Sequence, residues 1–498
     1  MKYRPIRLAP VFRFLALLSP MLLLPADPGL IGAPSPGWAT LFDGTSLDGW
    51  QAYGSRKSWS VQEGRIVAQG APSLLLFTGP DRKASYTDFE FLAEVLLEND
   101  AAAAILFHTS GKGKSPQASG YAVSLKNSPF HPDRDRATSG SLAAVRQVYK
   151  CAVRDGEWFA VRIRVASHRI RIFLNELPVV DYAEPADPPR TAAYAGRRLS
   201  GGTFALQRQT AAGRTLFRKV QVRPLTSVDQ APSDQAALDA AEKALTIEAL
   251  VNRGYPVIDF HVHLKGGVVL EDVLEKSRRT GIFCGIAPNC GVGFPIDTNE
   301  KLEEFYRQHR PIPVFLAMQA EGREWVQTFR KDSIARFDYV FTDAMTFTDD
   351  SGRRMRLWMK DEVGEIKDPQ AFMEMYLRRI LSVLDREKID IYINPTFLPE
   401  AIAAQYDTLW TRERMEAVTD ALARNRIALE INARYRIPSA AFVRLARAKG
   451  VKFAFGTNNV GKEYAELDYC LQILKECDLQ PADMFFPAPE GRKPIQVR

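Results

Sequence analysis

The sequence predicts two folded halves of different class, an all-β sandwich followed by an α/β barrel. Three observations carry this. The chain has 498 residues, enough for two or three domains of about 100–200 residues each. From about residue 40 to 224, apolar and polar residues alternate in short runs separated by turn formers, the period of half-buried antiparallel strands. After Pro256, short apolar runs alternate instead with amphipathic helical stretches, as in a parallel sheet wrapped by helices. A hydrophobic content of 46% with 25% charged residues is that of an ordinary folded protein, and excludes collagen, coiled coil and polytopic membrane protein.

The first segment, residues 1–38, reads as a signal peptide and leader. Lys2, Arg4, Arg7 and Arg13 precede the apolar run Phe14–Leu24, which is shorter than the ~20 residues a spanning helix needs. Pro20 argues against the alternative, a buried N-terminal helix. The expectation is an exported protein, periplasmic or extracellular, with no transmembrane segment in the mature chain. Without those four basic residues the formal charge of +7 falls to about +3, and no Lys/Arg block replaces them, so no nucleic-acid partner is expected. Cys151, Cys284, Cys290, Cys470 and Cys477 lack C-x-x-C spacing and read as core thiols, with a bridge inside Cys284/Cys290 or Cys470/Cys477 left open.

The sandwich is expected over 39–224, from strand patterns such as Tyr86–Leu97, Trp158–Val165, Ile170–Leu174 and Phe217–Val222. Residues 225–254, polar and then Ala-rich, read as a partly helical linker. Leu41–Trp50 (LFDGTSLDGW), Trp59–Gly64, Asp88-Phe89-Glu90 leading to Glu94, Asp155–Trp158, Leu206-Gln207 and Phe217–Val220 occur in order along this half. On these motifs it resembles the 3-keto-disaccharide hydrolase domain family, a concanavalin-like jelly roll of exported carbohydrate-processing proteins. The resemblance implies cleavage of 3-keto-glycosides by hydrolysis or elimination. Where such domains usually show G-Y-E-x-Q, this chain has Gly120-Tyr121-Ala122-Val123-Ser124, so a carboxylate and an amide are lost. The remaining acid/base candidates are Glu94 and His108, with Lys126 and Gln207 as sugar-binding groups. The plainer alternative makes Glu94 a salt-bridge partner and His108 a satisfied strand residue. Trp50, Trp59 and Trp158 can stack on sugar rings or fill the core.

The barrel is expected over 255–498. Its strands are Val257–His263, Ile282–Ala287, Pro313–Met318, Asp338–Phe341, Asp390–Asn394, Ile427–Ile431 and Lys452–Phe455. Helical stretches include Asn299–Gln308, Phe372–Asp385, Arg412–Ala423 and Tyr464–Glu476. Strand alternation places Asp259, His261 and His263 together at the C-terminal end of the first strand, the active-site end of such barrels. Two neutral imidazoles there can bind a divalent metal (Zn, Mn or Mg) and lower the pKa of its water toward ~7. The motif and the strand count resemble the polymerase and histidinol phosphatase (PHP) family, metal-dependent hydrolases on a distorted (β/α)7 barrel, and the broader amidohydrolase superfamily.

Departures from those families limit the site. The closing segment reads Gly456-Thr457-Asn458-Asn459-Val460, and Ile393-Asn394-Pro395 stands where Ala-His-Pro is usual. This half has only His261, His263 and His309, the last on a helix surface, which rules out a multi-histidine trinuclear centre. The expected remnant is a reduced metal site of His261, His263, Glu321 and Asp343, with Glu321 or Asp343 as base. Other strand ends carry Asn289, Asn394, Glu430, Asn432 and Asn458. Arg353 and Trp358 are candidate substrate contacts, against a solvated rim. Gly285–Phe294 lacks a nucleotide-binding pattern, so no nucleotide cofactor is expected, and Asp349–Gly352 reads as a turn.

The expected function is an exported hydrolase or lyase acting on an oligosaccharide or glycoside. Two alternatives stand beside it: a sugar-binding sandwich joined to a catalytically degenerate barrel, and a metal-dependent phosphoesterase or amidohydrolase targeted to polysaccharide. The sequence carries no signal of oligomeric state.

Overall fold

The computed structural model describes residues 37–110, 119–130, 136–226, 238–239, 242, 244–348 and 352–497. The leader expected before residue 37, and Asp349, Asp350 and Ser351 of the expected turn, lie outside the described residues.

The first half is a jelly-roll-like sandwich of an eight-stranded and a five-stranded antiparallel sheet. Its longest strands, Phe89–Glu98 and Arg214–Pro224, pair across Val95 and Phe217. Alternation decides which side chains go inside. Phe89, Phe91, Ala93, Val95 and Leu97 are fully buried, while Glu90, Glu94 and Glu98 face arginines on neighbouring strands. Phe204 of the facing sheet packs at 4.8 Å on both Phe89 and Phe91, and such aromatic pairs contribute about 0.5–1.5 kcal/mol each beyond burial.

The second half is a closed barrel of seven parallel strands: β1 (Ile258–Val262), β2 (Phe283–Ile286), β3 (Phe315–Ala320), β4 (Tyr339–Thr342), β5 (Ile391–Tyr392), β6 (Ala428–Asn432) and β7 (Phe453–Gly456). They run in the order β2-β1-β7-β6-β5-β4-β3, and pairing of β2 with β3 closes the ring. All seven expected strands are present, the fifth shortened to two residues. Aromatic side chains of Phe260, Phe315, Tyr339 and Phe341 fill the bore opposite the small Ala428 and Ala454. Val257, Ile286, Leu316, Val340 and Leu429 face outward into the helical layer. Helix ends follow local chemistry: Asp368 caps Pro369–Arg386 through the N–H groups of Gln370 and Ala371, and Gly281 at φ +79° closes Leu270–Thr280. The last expected helix begins only at Asp468, after Ala465 at φ +57°.

Between the halves, the stretch read as a linker ends in a packed helix, Leu245–Asn252. Glu248 is fully buried there and meets Arg190, Arg146 and the Tyr182 hydroxyl. The Asn252 side chain accepts from Thr191 N at 2.6 Å. Tyr149 of the sandwich packs edge-on against Phe283 at the start of β2, and Lys150 pairs with Asp338, just before β4, at 2.7 Å. The sandwich therefore covers the N-terminal end of the barrel and leaves the C-terminal strand ends open. All five cysteines are free thiols.

Candidate active site at the barrel mouth

The sandwich candidates are each committed to the fold. Glu94 accepts from Arg218 at 2.5 Å and Lys219 at 2.7 Å. Burial alone would raise its pKa, but these two cations hold it below the usual carboxylate range. His108, buried and at φ +54°, places Nε2 2.9 Å from Thr87 O and accepts from Ser200 N at Nδ1, so both ring nitrogens are used; burial lowers its pKa. This is the plainer of the two readings for both residues. Lys126 is buried just beyond strand Tyr121–Leu125, and Gln207 lies on the outer face of the five-stranded sheet. Its neighbours on that face include the buried apolar side chains Leu74, Leu76, Ala104, Leu106, Ala122 and Ala205. Trp59 is buried with its N–H on Ser73, Trp50 packs on Phe77, and Trp158 lies under the Arg218 guanidinium.

The barrel differs. Its C-terminal end opens into a cavity of about 640 Å³ lined by His263, Glu321, Asp343, Asn394 and Asn458, with Trp358 and Tyr435 among its walls. Arg353, exposed, does not line it.

Asp259 does not join the two histidines as alternation predicts. The β1–β2 register shifts between Asp259 and Val262, and the bulge breaks the period of two. The Asp259 carboxylate instead accepts from the backbone of His261, Thr457 and Ala465 and from the Thr457 hydroxyl, tying β1 to the segment after β7. Burial raises its pKa against those hydrogen bonds.

His261 and His263 have different surroundings. His261 lies below the cavity floor, with Nδ1 2.6 Å from Glu430 Oε1 and Nε2 3.3 Å from Gln319 Oε1. Glu430 is in turn held by Asn394 N and the Asn432 amide, at 2.6 and 2.9 Å. His263 donates Nδ1–H to Ala287 O at 2.7 Å, which leaves the Nε2 lone pair facing the cavity. That buried nitrogen makes no close hydrogen bond among the described residues, and the Asn458 side chain is the polar group that acts on the ring from the cavity side. Burial, then His261 and Lys265, push its pKa well below the ordinary histidine value, so the ring is neutral.

The two carboxylates are held by amides. Glu321 accepts from Asn289 at 2.7 Å and Gln319 at 3.0 Å. Burial and the neighbouring Asp343 push its pKa up to about 8. Asp343 accepts from Met345 N and the Asn394 amide, both at 2.9 Å, and burial raises it too. Asn394 also accepts from Asn432 and Asn458, at 3.0 and 2.9 Å. Asn394 and Asn458 both sit at φ +45°, a conformation that asparagine tolerates better than most residues.

These donors do not make a metal centre as arranged. Both His261 nitrogens face other side chains, the carboxylates are turned to amide donors, and among the described residues no group of three or more His, Cys, Asp or Glu side chains converges on one point. The four residues expected as a metal site are thus close neighbours, of which His263, Glu321 and Asp343 line the cavity. Sequence reasoning passed over Lys265, Gln319, Arg434 and Tyr435, which also line it. Lys265 and Gln319 were within reach, each two residues from a candidate on the same segment.

Comparison with known proteins bears on each half separately. The "putative glycosyl hydrolase" of Parabacteroides distasonis ATCC 8503 is 19% identical over 38% of this chain and 94% of its own, with a TM-score of 0.33. Carbohydrate binding module CBM66 from Bacillus subtilis is 17% identical over 35% and 94%, with a TM-score of 0.24. The histidinol phosphate phosphatase of Lactococcus lactis subsp. lactis, solved with Zn, L-histidinol and phosphate, is 13% identical over 49% and 99%, with a TM-score of 0.34. No curated protein matches the chain. Residues 37–223 match the family model of the 3-keto-alpha-glucoside-1,2-lyase-like domain, which assigns the sandwich half, and not the whole chain, to that domain family.

Proposed function

We propose that the protein cleaves glycosidic bonds of 3-keto-glycosides and that the barrel mouth is its working site. The observation that carries this is the buried His263 Nε2, held as a lone-pair nitrogen and making no close hydrogen bond, in the same cavity as the Glu321 carboxyl. A base and an acid on one cavity are what an elimination needs. His263 Nε2 takes the C2 proton, which the neighbouring ketone acidifies. The C2–H electrons form the C1=C2 bond, the C1–O bond breaks, and the Glu321 carboxyl gives its proton to the leaving oxygen. Amides of Asn289, Gln319, Asn394 and Asn458 supply directional donors and acceptors for sugar hydroxyls. Trp358, 40% exposed at the rim, offers an apolar face for a sugar ring.

The similarity of the sandwich half to a 3-keto-glucoside lyase-like domain supports the substrate class. The basic, apolar and small-residue order of the first 38 residues supports action outside the cytoplasm. No helix among the described residues is long and apolar enough to cross a membrane.

The test is turnover of a 3-keto-disaccharide by the full chain, followed as released reducing sugar. His263→Asn and Glu321→Gln are each expected to lower kcat/KM by roughly 10²–10⁴-fold, the usual contribution of a positioned acid or base. Glu94→Gln is expected to leave it unchanged. Wild-type rates in both barrel variants overturn the assignment.

A further inference from the structure

Six charged side chains line the barrel cavity: Lys265, Glu321, Asp343, Lys360, Glu400 and Arg434. Four of them are accounted for. Lys360 and Glu400 pair at 3.9 Å, and Glu321 and Asp343 are held by amides. The Lys265 ammonium makes no hydrogen bond or close ion pair among the described residues, although Glu321 and Glu463 act on it through space. Arg434 spends one N–H on Asn458 O at 3.3 Å, lies over the Tyr435 ring at 4.9 Å, and has no carboxylate partner among the described residues. Glu463, the acidic side chain of the adjacent loop, accepts from Val460 N and Gly461 N at Oε1, at 2.6 and 3.0 Å, and acts on both cations through space without pairing closely with either.

Both cations are braced by the loop after β7. Gly266, next to Lys265, runs so close to it that a Cβ there would lie 2.1 Å from Val460 O. Asn458, whose carbonyl takes the Arg434 N–H, belongs to the same loop, and Asn459 bonds both backbone groups of His263. The two positive groups therefore line the cavity together, Lys265 half-buried and Arg434 exposed, and two like charges at one cleft favour an anionic ligand there.

We infer that Lys265 and Arg434 form an oxyanion subsite, which selects sugars carrying a carboxylate, sulfate or phosphate substituent. The inference rests on the proposed function for the sugar, and on the unpaired cations for the charge. A guanidinium presents a planar fork that matches two oxygens of one oxyanion, and an ammonium adds a point charge with three donors. The asparagine-rich floor then meets the hydroxyls.

The experiment is calorimetric titration of the full chain at low ionic strength with glucose, glucuronate, glucose 6-sulfate and glucose 6-phosphate. At least one anionic sugar should bind about tenfold or more tightly than glucose, the worth of one charge-assisted hydrogen bond. Which anion binds best identifies the substituent. The double variant K265Q/R434Q should bind all four alike, whereas Lys265→Arg and Arg434→Lys, which keep the charge, should retain the preference. Equal affinities in the wild type, no binding of any anionic sugar, or a preference that survives the double variant each overturn the subsite. Anion preference without keto-glycoside cleavage removes only the proposed function. Cleavage of neutral keto-glycosides without anion preference removes only the subsite.

Discussion

His261 Nδ1 lies 2.6 Å from Glu430 Oε1, directly over the α-carbon of Gly456. A Cβ at residue 456 would sit 2.1 Å from Glu430 Oε1 and 2.9 Å from His261 Cβ. A glycine on β7 thus makes room for a pair bridging β1 and β6. The pair holds the floor, since the other Glu430 oxygen accepts from Asn394 and Asn432.

Gly456→Ala is therefore expected to destabilise the protein by about 1–3 kcal/mol, the usual cost of overpacking a well-filled interior. It should also lower turnover, because Asn394 and the cavity floor move with Glu430. Thermal unfolding of the full chain checks the first effect. An unchanged melting temperature would mean that the pair separates without cost.

Glu321 gives a pH-dependent prediction. Its carboxyl is pushed up to about 8 by burial and Asp343, above the ordinary value it regains on unfolding. Between those values the folded state binds the proton more tightly than the unfolded state, so this group makes stability fall as pH rises from about 4.5 to 8. Glu321→Gln keeps an acceptor for Asn289 and Gln319 but cannot ionise. It is expected to stabilise the protein at pH 8 relative to wild type and to change it little at pH 5. Denaturant melts at the two pH values check this, and a larger gain at pH 5 would contradict it.

The architecture was more legible than the site. Strand alternation and the β–α rhythm marked both halves, because burial of one sheet face or both leaves its period in the sequence. The mouth was read less well. Asp259 is displaced by a bulge, and a bulge leaves no mark in an alternating D-F-H-V-H run. Glu94 and His108 looked available because their partners, Arg218, Lys219, Thr87 and Ser200, lie 21 to 125 residues away in sequence. Arg434 was missed for the opposite reason, since its distinction is the lack of a carboxylate partner among the described residues, which only the folded chain shows.

Glu94 carries the contrast between the halves into a prediction. Burial works against its ionisation, but Lys219 and Arg218 win and hold its pKa below the usual range. Stability from this group is present above the unfolded pKa and is lost as pH falls through the lower folded value. Its partners are a third to a half exposed, so solvent screening limits Glu94→Gln to about 1 kcal/mol of stability at neutral pH. Keto-glycoside turnover in that variant should match wild type, and a large loss would return the chemistry to the sandwich.

Glu248 carries the heaviest expected cost. It is fully buried in the helix between the halves, where it meets Arg190, Arg146 and Tyr182. Arg146 and Arg190 are each 2% exposed and cannot turn to water once that carboxylate is gone. Nε and Nη2 of Arg146 already lack hydrogen-bond partners among the described residues, so losing the Glu248 carboxylate leaves this guanidinium still less satisfied. Removing one member of a buried ion pair costs about 3–5 kcal/mol, because the remaining charge stays dehydrated. Glu248→Ala is therefore expected to lower the unfolding temperature and to expose the helix Leu245–Asn252 to protease, releasing two fragments. Replacing both arginines with methionine in the same variant should recover part of the loss, because the penalty lies in the stranded charge. If Glu248→Ala alone melts with the wild type, the helix is not what holds the sandwich to the base of the barrel.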